Sequence, residues 1–309
     1  MKSIQSPDLS VKIGKIKLKN PVIVASGTFG FGEEYQDFLN LNQLGAIIPK
    51  GISLTPMIGN APPRIFETAG GILNSIGLQN PGFEEFTKKK LPFFQHVKSN
   101  LIINFFGHTK KEYIELAKRF DDIPGISGLE MNISCPNVKQ GGIIFGSDPK
   151  MVYHLVYSVR KATKLTLIVK LSPNVTDISC VAKKAEDGGA DAVSLVNTFK
   201  AMAININSRK PELGNVMGGL SGPAIKPIAL RMVWEVSQNV KIPIIGMGGI
   251  MNAEDAIEFI LAGASAIQIG TANLINPRTG IQVIDGIKKY LIQNKMKRIK
   301  ELIGLFPNA

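Results

Sequence analysis

The sequence predicts an α/β fold of the closed (β/α)8, or TIM, barrel type, and three observations carry that expectation. Apolar runs of four to seven residues recur about eight times, most of them followed by a polar segment of helical period. The runs are continuous rather than alternating, as strands buried on both faces of a parallel sheet are. The length, 309 residues, suits one large barrel, a fold that often runs past ~250 residues. An open doubly wound sheet is the alternative.

The first element, Leu9–Leu18, reads as a short hairpin turning at Gly14, placed before the first barrel strand. Strands are then expected at Pro21–Ser26, Ala46–Lys50, Leu101–Phe106, Gly128–Ser134, Leu165–Leu171, Ala192–Thr198, Ile242–Gly246 and Ala266–Gly270. Helices are expected between them at Lys110–Phe120, Pro149–Ala162, Asp177–Asp187, Pro223–Gln238, Ala253–Leu261 and Ile281–Asn294. Two connections, Gly51–Pro81 and Phe199–Gly222, are too long for simple loops and rich in Gly, Pro and Asn. Long loops in a compact domain are usually lids or binding segments, and these are expected over the C-terminal face of the barrel. With no fixed-period repeat, low-complexity tract or linker, residues 1–309 are expected to form a single domain.

Composition excludes several classes. Hydrophobic residues make up 44% and charged residues 19% of the chain, which describes a globular protein with a large core. No apolar run approaches the ~18–20 residues of a membrane span, and the N-terminus lacks the apolar core of a secretion signal. Two cysteines in 309 residues fit a reducing compartment, so a cytoplasmic protein is expected. The net charge of +12 would attract anions or nucleic acid, but the lysines are scattered rather than gathered in a stripe. The local clusters, Lys88–Lys90 and Lys295, Lys297, Arg298 and Lys300, fall on expected helices, where solvated faces account for them. A nucleic-acid partner is not expected.

Candidate chemistry gathers at strand ends. Cys135, in the run Leu129–Asn137 (LEMNISCPN), sits at a proline corner beside a serine and an asparagine, the setting of an acid/base or nucleophilic thiol rather than a core cysteine. Cys180, inside DISCVAKK, suits the core instead. The seventh strand ends in GMGG, with Gly248 and Gly249, and the eighth in QIGT, with Gly270 and Thr271. In these barrels a phosphate often sits at the loops after those two strands, where a Cβ would block its approach to backbone N–H groups. Lys170 near the end of the fifth strand and Lys50 at the end of the second are interior cations, costly unless they meet an anion, an electron-rich ring or a lowered pKa. Either a Schiff-base lysine or a cation against the pyrimidine edge of a reduced flavin satisfies that condition. Asn74, Asn104, Asn132, Asn137 and Asn197 converge on the same mouth and suit a ring that presents amide donors and acceptors, such as a pyrimidine. The three histidines, His96, His108 and His154, lie on or near expected helices, which argues against a Cys–His dyad or a histidine-ligated metal.

The motifs NISCPN, NSIGLQNPG at Asn74–Gly82, KLSPNVTD at Lys170–Asp177 and GGLSGPA at Gly218–Ala224 together resemble the dihydroorotate dehydrogenase family. The likeness extends from ASGTFGFG at Ala25–Gly32 to the last helix, and FGFGEEY and NVKQGG look like its class 1B branch. The resemblance implies a single FMN-binding barrel domain that oxidises dihydroorotate to orotate in pyrimidine synthesis. It implies FMN contacts from Ser26, Lys50, Gly51, Asn104, Asn132, Lys170, Val196, Gly222, Gly248, Gly249, Gly270 and Thr271. It implies substrate contacts from Lys50, Asn74, Ser75, Ile76, Gly77, Leu78, Asn132, Asn137, Asn197 and Thr198, with Cys135 as the base. The branch also implies a homodimer joined to an electron-transfer subunit that carries FAD and a 2Fe-2S cluster and reduces NAD. This chain, with two cysteines, cannot supply the four ligands of such a cluster.

The sequence departs from the family pattern at Pro49 and Gly51 around Lys50, and at Phe105 and Phe106 after Asn104. Other readings are a class 1A-like enzyme using fumarate, a flavin-dependent tRNA dihydrouridine synthase and a non-catalytic flavin-binding barrel. The synthase would need a further RNA-binding segment, for which little chain remains after the eighth helix.

Overall fold

Eight parallel strands close into a barrel in a computed structural model that describes residues 6–133 and 142–306. They are Val22–Val24, Ala46–Ile47, Asn100–Phe105, Ile126–Asn132, Thr166–Lys170, Ala192–Leu195, Ile244–Met247 and Ala266–Ile269. Neighbours in the barrel follow chain order, and the eighth strand closes onto the first through Ile267↔Val22. Each overlaps a run expected from the sequence. The continuous hydrophobicity has its cause in the burial: Val22, Ile23, Ile47, Leu129, Leu167, Val193 and Ile267 are all excluded from water, their alternate side chains filling the barrel or packing under helices.

Six long helices cover the barrel: Lys110–Asp121, Pro149–Arg160, Ile178–Asp187, Lys226–Ser237, Ala253–Leu261 and Thr279–Gln293. Four begin at a side-chain cap that takes up otherwise unpaired N–H groups. Thr109, Asp148, Asp177 and Asn252 accept from the backbone N–H of Glu112, Lys150, Ser179 and Asp255. The helix expected from Pro223 instead starts as a 3-10 turn, Pro223–Ile225, and becomes α-helical at Lys226. The first unit has only the 3-10 turns Glu33–Tyr35 and Leu41–Gln43. Lys295 and Lys297 are not helical as expected: the last long helix stops at Gln293, and Lys295 turns the chain at a φ of 56°. No helix among the described residues is long and apolar enough to cross a membrane.

The N-terminal hairpin, Val11–Ile13 against Ile16–Leu18, closes the bottom of the barrel. Its Gly14 approaches the starts of the fifth and sixth strands so closely that a Cβ would lie 2.7 Å from Thr166 Cγ2 and 2.9 Å from Asp191 Cβ. The two long connections are not irregular loops. They pair with each other as a four-stranded antiparallel sheet in the order Phe199–Met202, Met217–Ser221, Gly71–Asn74, Ile65–Thr68. A separate two-stranded ribbon, Ile204–Asn205 with Lys210–Pro211, lies between two of its strands in the chain. This sheet roofs the C-terminal mouth.

The approach to the fifth strand depends on Asp121. Its carboxylate accepts from Thr163 Oγ1 at 2.5 Å and from the N–H groups of Lys164 and Leu165 at 2.6 and 3.0 Å. Burial pushes the carboxyl up, but these bonds outweigh it and hold it below the ordinary 3.8. A depressed folded-state value contributes stability above the unfolded value that is lost as pH falls through the folded one. Asp121→Ala is therefore expected to cost about 1–2 kcal/mol near pH 7, reduced from a fully buried pair by the half-exposed position. In urea melts the difference from wild type should shrink below about pH 4.

Candidate active site

A cavity of about 280 Å3 lies between the strand ends and the roof, close to the lower limit of the ~300–1,000 Å3 usual for small-molecule sites. Strand register sets its floor. Asn104 pairs with Glu130, Asn132 with Lys170 and Lys170 with Ser194, so polar groups from the third to the sixth strands stand side by side. Lys170 is only 5% exposed. Its Nζ lies 3.5 Å from Ser26 Oγ and 3.9 Å from Glu130 Oε2, which gives a buried ammonium the counter-charge it needs.

Asn104 Nδ2 donates to Glu130 Oε2 at 2.7 Å. Its Oδ1 then faces Gly51, where a Cβ would lie 2.5 Å from that oxygen and 3.5 Å from Phe106 Cδ1. Glycine after Lys50 is thus required by the Asn104 amide, whereas Phe106 stands at ordinary contact distance from it. Phe105 is fully buried with its ring edge-on to Tyr113 at 6.0 Å. Tyr113 in turn donates to the Asn132 carbonyl at 2.8 Å. Asn197 Nδ2 approaches Asn132 Oδ1 at 3.4 Å.

From the roof, Asn74 Nδ2 donates to the Gly219 carbonyl at 3.2 Å, and Ile76, Gly77, Leu78 and Thr198 line the same cavity. Lys50 stands at its edge. Burial pushes that ammonium below the ordinary 10.5, the Arg64 guanidinium pushes it the same way, and Glu34 partly offsets both. Ser75 is not among the lining residues. It is fully buried, its Oγ accepting from Asn60 Nδ2 at 2.8 Å and its N–H donating to Arg64 O at 2.7 Å. Alternation along extended chain turns it away from the side that Asn74 and Ile76 present. Cys135 and Asn137 lie outside the described residues.

The strand-end glycines divide into two kinds. Gly222, Gly248 and Gly249 have φ of 100°, 130° and 75°, a left-handed region open to glycine. Packing also excludes a side chain, since a Cβ on Gly248 would lie 2.7 Å from Ala229 Cβ. Gly270 is different. A Cβ there would find nothing nearer than Ala25 Cβ and Thr28 Oγ1 at 3.9 Å, so the fold itself tolerates one, and the space it leaves belongs to the cavity. Thr271, next in the chain, donates through Oγ1 to Ser221 Oγ at 2.8 Å. Ser26 and Val196 complete the walls.

Sequence reasoning passed over Glu130, which is entirely buried under this floor, and Gln268, which donates to it at 2.6 Å. The signal was available: Glu130 precedes Asn132 by two residues and Gln268 precedes Gly270 by two, and period two puts each pair on one face. Ser221, Met247 and Leu274 also line the cavity and carried no comparable signal.

The two kinds of glycine separate in experiment. Gly270→Ala is expected to melt within about 2 °C of wild type, as a surface-like change of under ~0.5 kcal/mol does, yet to lose cavity ligand at least tenfold by equilibrium dialysis. Gly248→Ala should cost about 1–3 kcal/mol in stability itself.

Comparison with known proteins bears on this site. The family model described as dihydroorotate dehydrogenase matches residues 8–291. The chain is 57% identical over 301 residues to the "Dihydroorotate dehydrogenase B (NAD(+)), catalytic subunit" of Geobacter metallireducens, covering 97% of this chain and 99% of that one. Proteins of the same description from Geotalea uraniireducens and Thermoanaerobacter pseudethanolicus are 56% and 55% identical, each over 96% of this chain and 98% of its relative.

Proposed function

The chain belongs to the dihydroorotate dehydrogenase family, and we propose that it is the catalytic subunit of an NAD-linked enzyme oxidising dihydroorotate to orotate in de novo pyrimidine (UMP) synthesis. The observation that carries this reading is the cavity floor: one buried cation, Lys170, among amides, opposite a glycine, Gly270, whose missing Cβ the fold does not require. That arrangement fits FMN in a single barrel domain, with its phosphate against Gly248, Gly249, Gly270 and Thr271. Ser26, Lys50, Gly51, Asn104, Asn132, Lys170, Val196 and Gly222 would hold the remainder.

Bound FMN supplies an acceptor for the hydride leaving C6 of dihydroorotate. The protein's own residues handle the rest. Cys135, as thiolate, takes the proton from C5, so that the carbon–carbon double bond forms as both hydrogens leave. Asn74, Asn132, Asn137 and Asn197 orient the ring by pairing with its amide edges, while Ile76, Gly77, Leu78 and Thr198 shield it from water under the roof. Lys50 neutralises the substrate carboxylate. Ser75 serves by holding the roof through Asn60 rather than by touching substrate.

The reading includes a cytoplasmic homodimer joined to a partner subunit that carries FAD and a 2Fe-2S cluster and hands electrons to NAD. The names of the relatives, which specify NAD(+) and a catalytic subunit, support that division of labour. So does the cysteine count, two in the whole chain, against the four ligands a cluster takes.

Cys135→Ala is expected to retain FMN and to slow flavin reduction by dihydroorotate by roughly 10^2–10^4-fold, the usual worth of a positioned base. Stopped-flow bleaching of the flavin at near wild-type rate would overturn it. In wild type the same rate should rise with pH through the thiol range near ~8.5. Orotate binding, followed by flavin absorbance, should do the opposite: the Lys50 cation is lost as pH rises through a value below 10.5, so affinity falls on the alkaline side. In Lys50→Met that fall should vanish.

A further inference from the structure

The interior layer beneath the cavity is polar where barrels of this kind are filled with bulky branched side chains. The fourth, sixth and eighth strands contribute Glu130, Ser194 and Gln268, exposed to 0%, 0% and 1%. Three donors converge on the Glu130 carboxylate: Asn104 Nδ2 at 2.7 Å, Ser194 Oγ at 2.8 Å and Gln268 Nε2 at 2.6 Å. The bond to Gln268 crosses the barrel, since the fourth and eighth strands stand on opposite sides. A set made wholly of donors is complementary to an acceptor-only group, an ionised carboxylate. The Lys170 ammonium, at 3.9 Å, is the charge nearest to it.

Stability does not explain such a group. Replacing a buried ion pair with apolar side chains of similar volume is often neutral or stabilising, and the other strands of this barrel show that apolar filling was available. What the carboxylate changes is the charge above it. Lys170 stands between Glu130 below and the cavity above, so the cation presented to a ligand is partly neutralised from beneath. Asn104 is likewise pinned with its amide nitrogen downward.

We propose that Glu130 is a positioning residue that sets, through Lys170 and Asn104, how much more tightly the site holds reduced than oxidised flavin. The inference rests on the flavin reading given above. Two-electron reduction places additional negative charge on the flavin ring, which the Lys170 cation favours and the Glu130 carboxylate moderates. The result is a lower flavin midpoint potential than Lys170 alone would give, and an easier onward transfer of the electron pair to an acceptor.

The test is a dye-mediated redox titration of FMN in the purified holoprotein, comparing wild type with Glu130→Gln, Glu130→Asp and Ser194→Ala. Removing the charge in Glu130→Gln should raise the ratio of reduced-to-oxidised flavin affinity at least tenfold, which is about 30 mV for a two-electron couple. Glu130→Asp keeps the charge but draws it back from Lys170, and should give a smaller rise. Ser194→Ala disturbs the same network without changing its charge, and its potential should not rise. A potential in Glu130→Gln at or below wild type overturns the proposal, as does an equal rise in Ser194→Ala, which would mark a merely structural role. Should Glu130→Gln fail to fold, Glu130→Asp decides alone, and no rise in it overturns the proposal. Wild-type protein that binds no flavin would instead overturn the function proposed above, whereas bound flavin with equal potentials overturns only this inference.

Discussion

The register of the parallel strands around a closed barrel is the constraint from which the rest of the molecule follows. An eight-stranded barrel leaves an interior just wide enough for side chains, and alternation decides which residues enter it. Once Asn132 is aligned with Lys170 and Lys170 with Ser194, Glu130 must point inward two residues below Asn132. A slip of one residue would send Lys170 out under the helices and bring Val169 into the cavity floor. The charge pair, the amides and the open space at Gly270 are therefore consequences of strand pairing rather than separate inventions.

The floor is built from the barrel itself and the roof from its insertions. Barrel strands supply Asn104, Asn132 and Lys170 from regular structure, where second contacts hold each side chain: Glu130 under Asn104, Ser26 beside Lys170, Tyr113 behind the Asn132 backbone. Roof residues come instead from two insertions, each a hairpin, that join through Gly71–Asn74 and Met217–Ser221.

Much of the barrel was legible because its signals are local and redundant. All eight strands overlap mainly apolar runs, and the N-terminal hairpin alternates about a glycine that its packing against Thr166 requires. The roof was legible only as two suspiciously long connections. Its strands run for four or five residues, two of them carry glycines, and all keep much of their surface exposed, so apolar run length does not mark them, and the pairing between the two insertions is visible only once the barrel has brought them together. Within the motif Asn74–Leu78, Ser75 alone is turned from the cavity, a distinction that a contiguous run of letters does not carry. Glu130 was hidden differently, as one charged letter inside an apolar strand whose neighbours drew the eye.

The roof also imposes an order in time. Asn74 and Gly219 are 145 positions apart in the chain, and closing so long a loop is costly before the elements between them exist. The two hairpins leave the ends of the second and sixth strands, so the cavity is covered only when both are in place and paired. During synthesis from the N-terminus, Ile65–Thr68 and Gly71–Asn74 have each other to pair with, but the second edge of Gly71–Asn74 lacks its partner strand until Ser221 has emerged. Anything that fits only the completed cavity meets the finished fold alone, and by mass action pulls the maturing chain toward it.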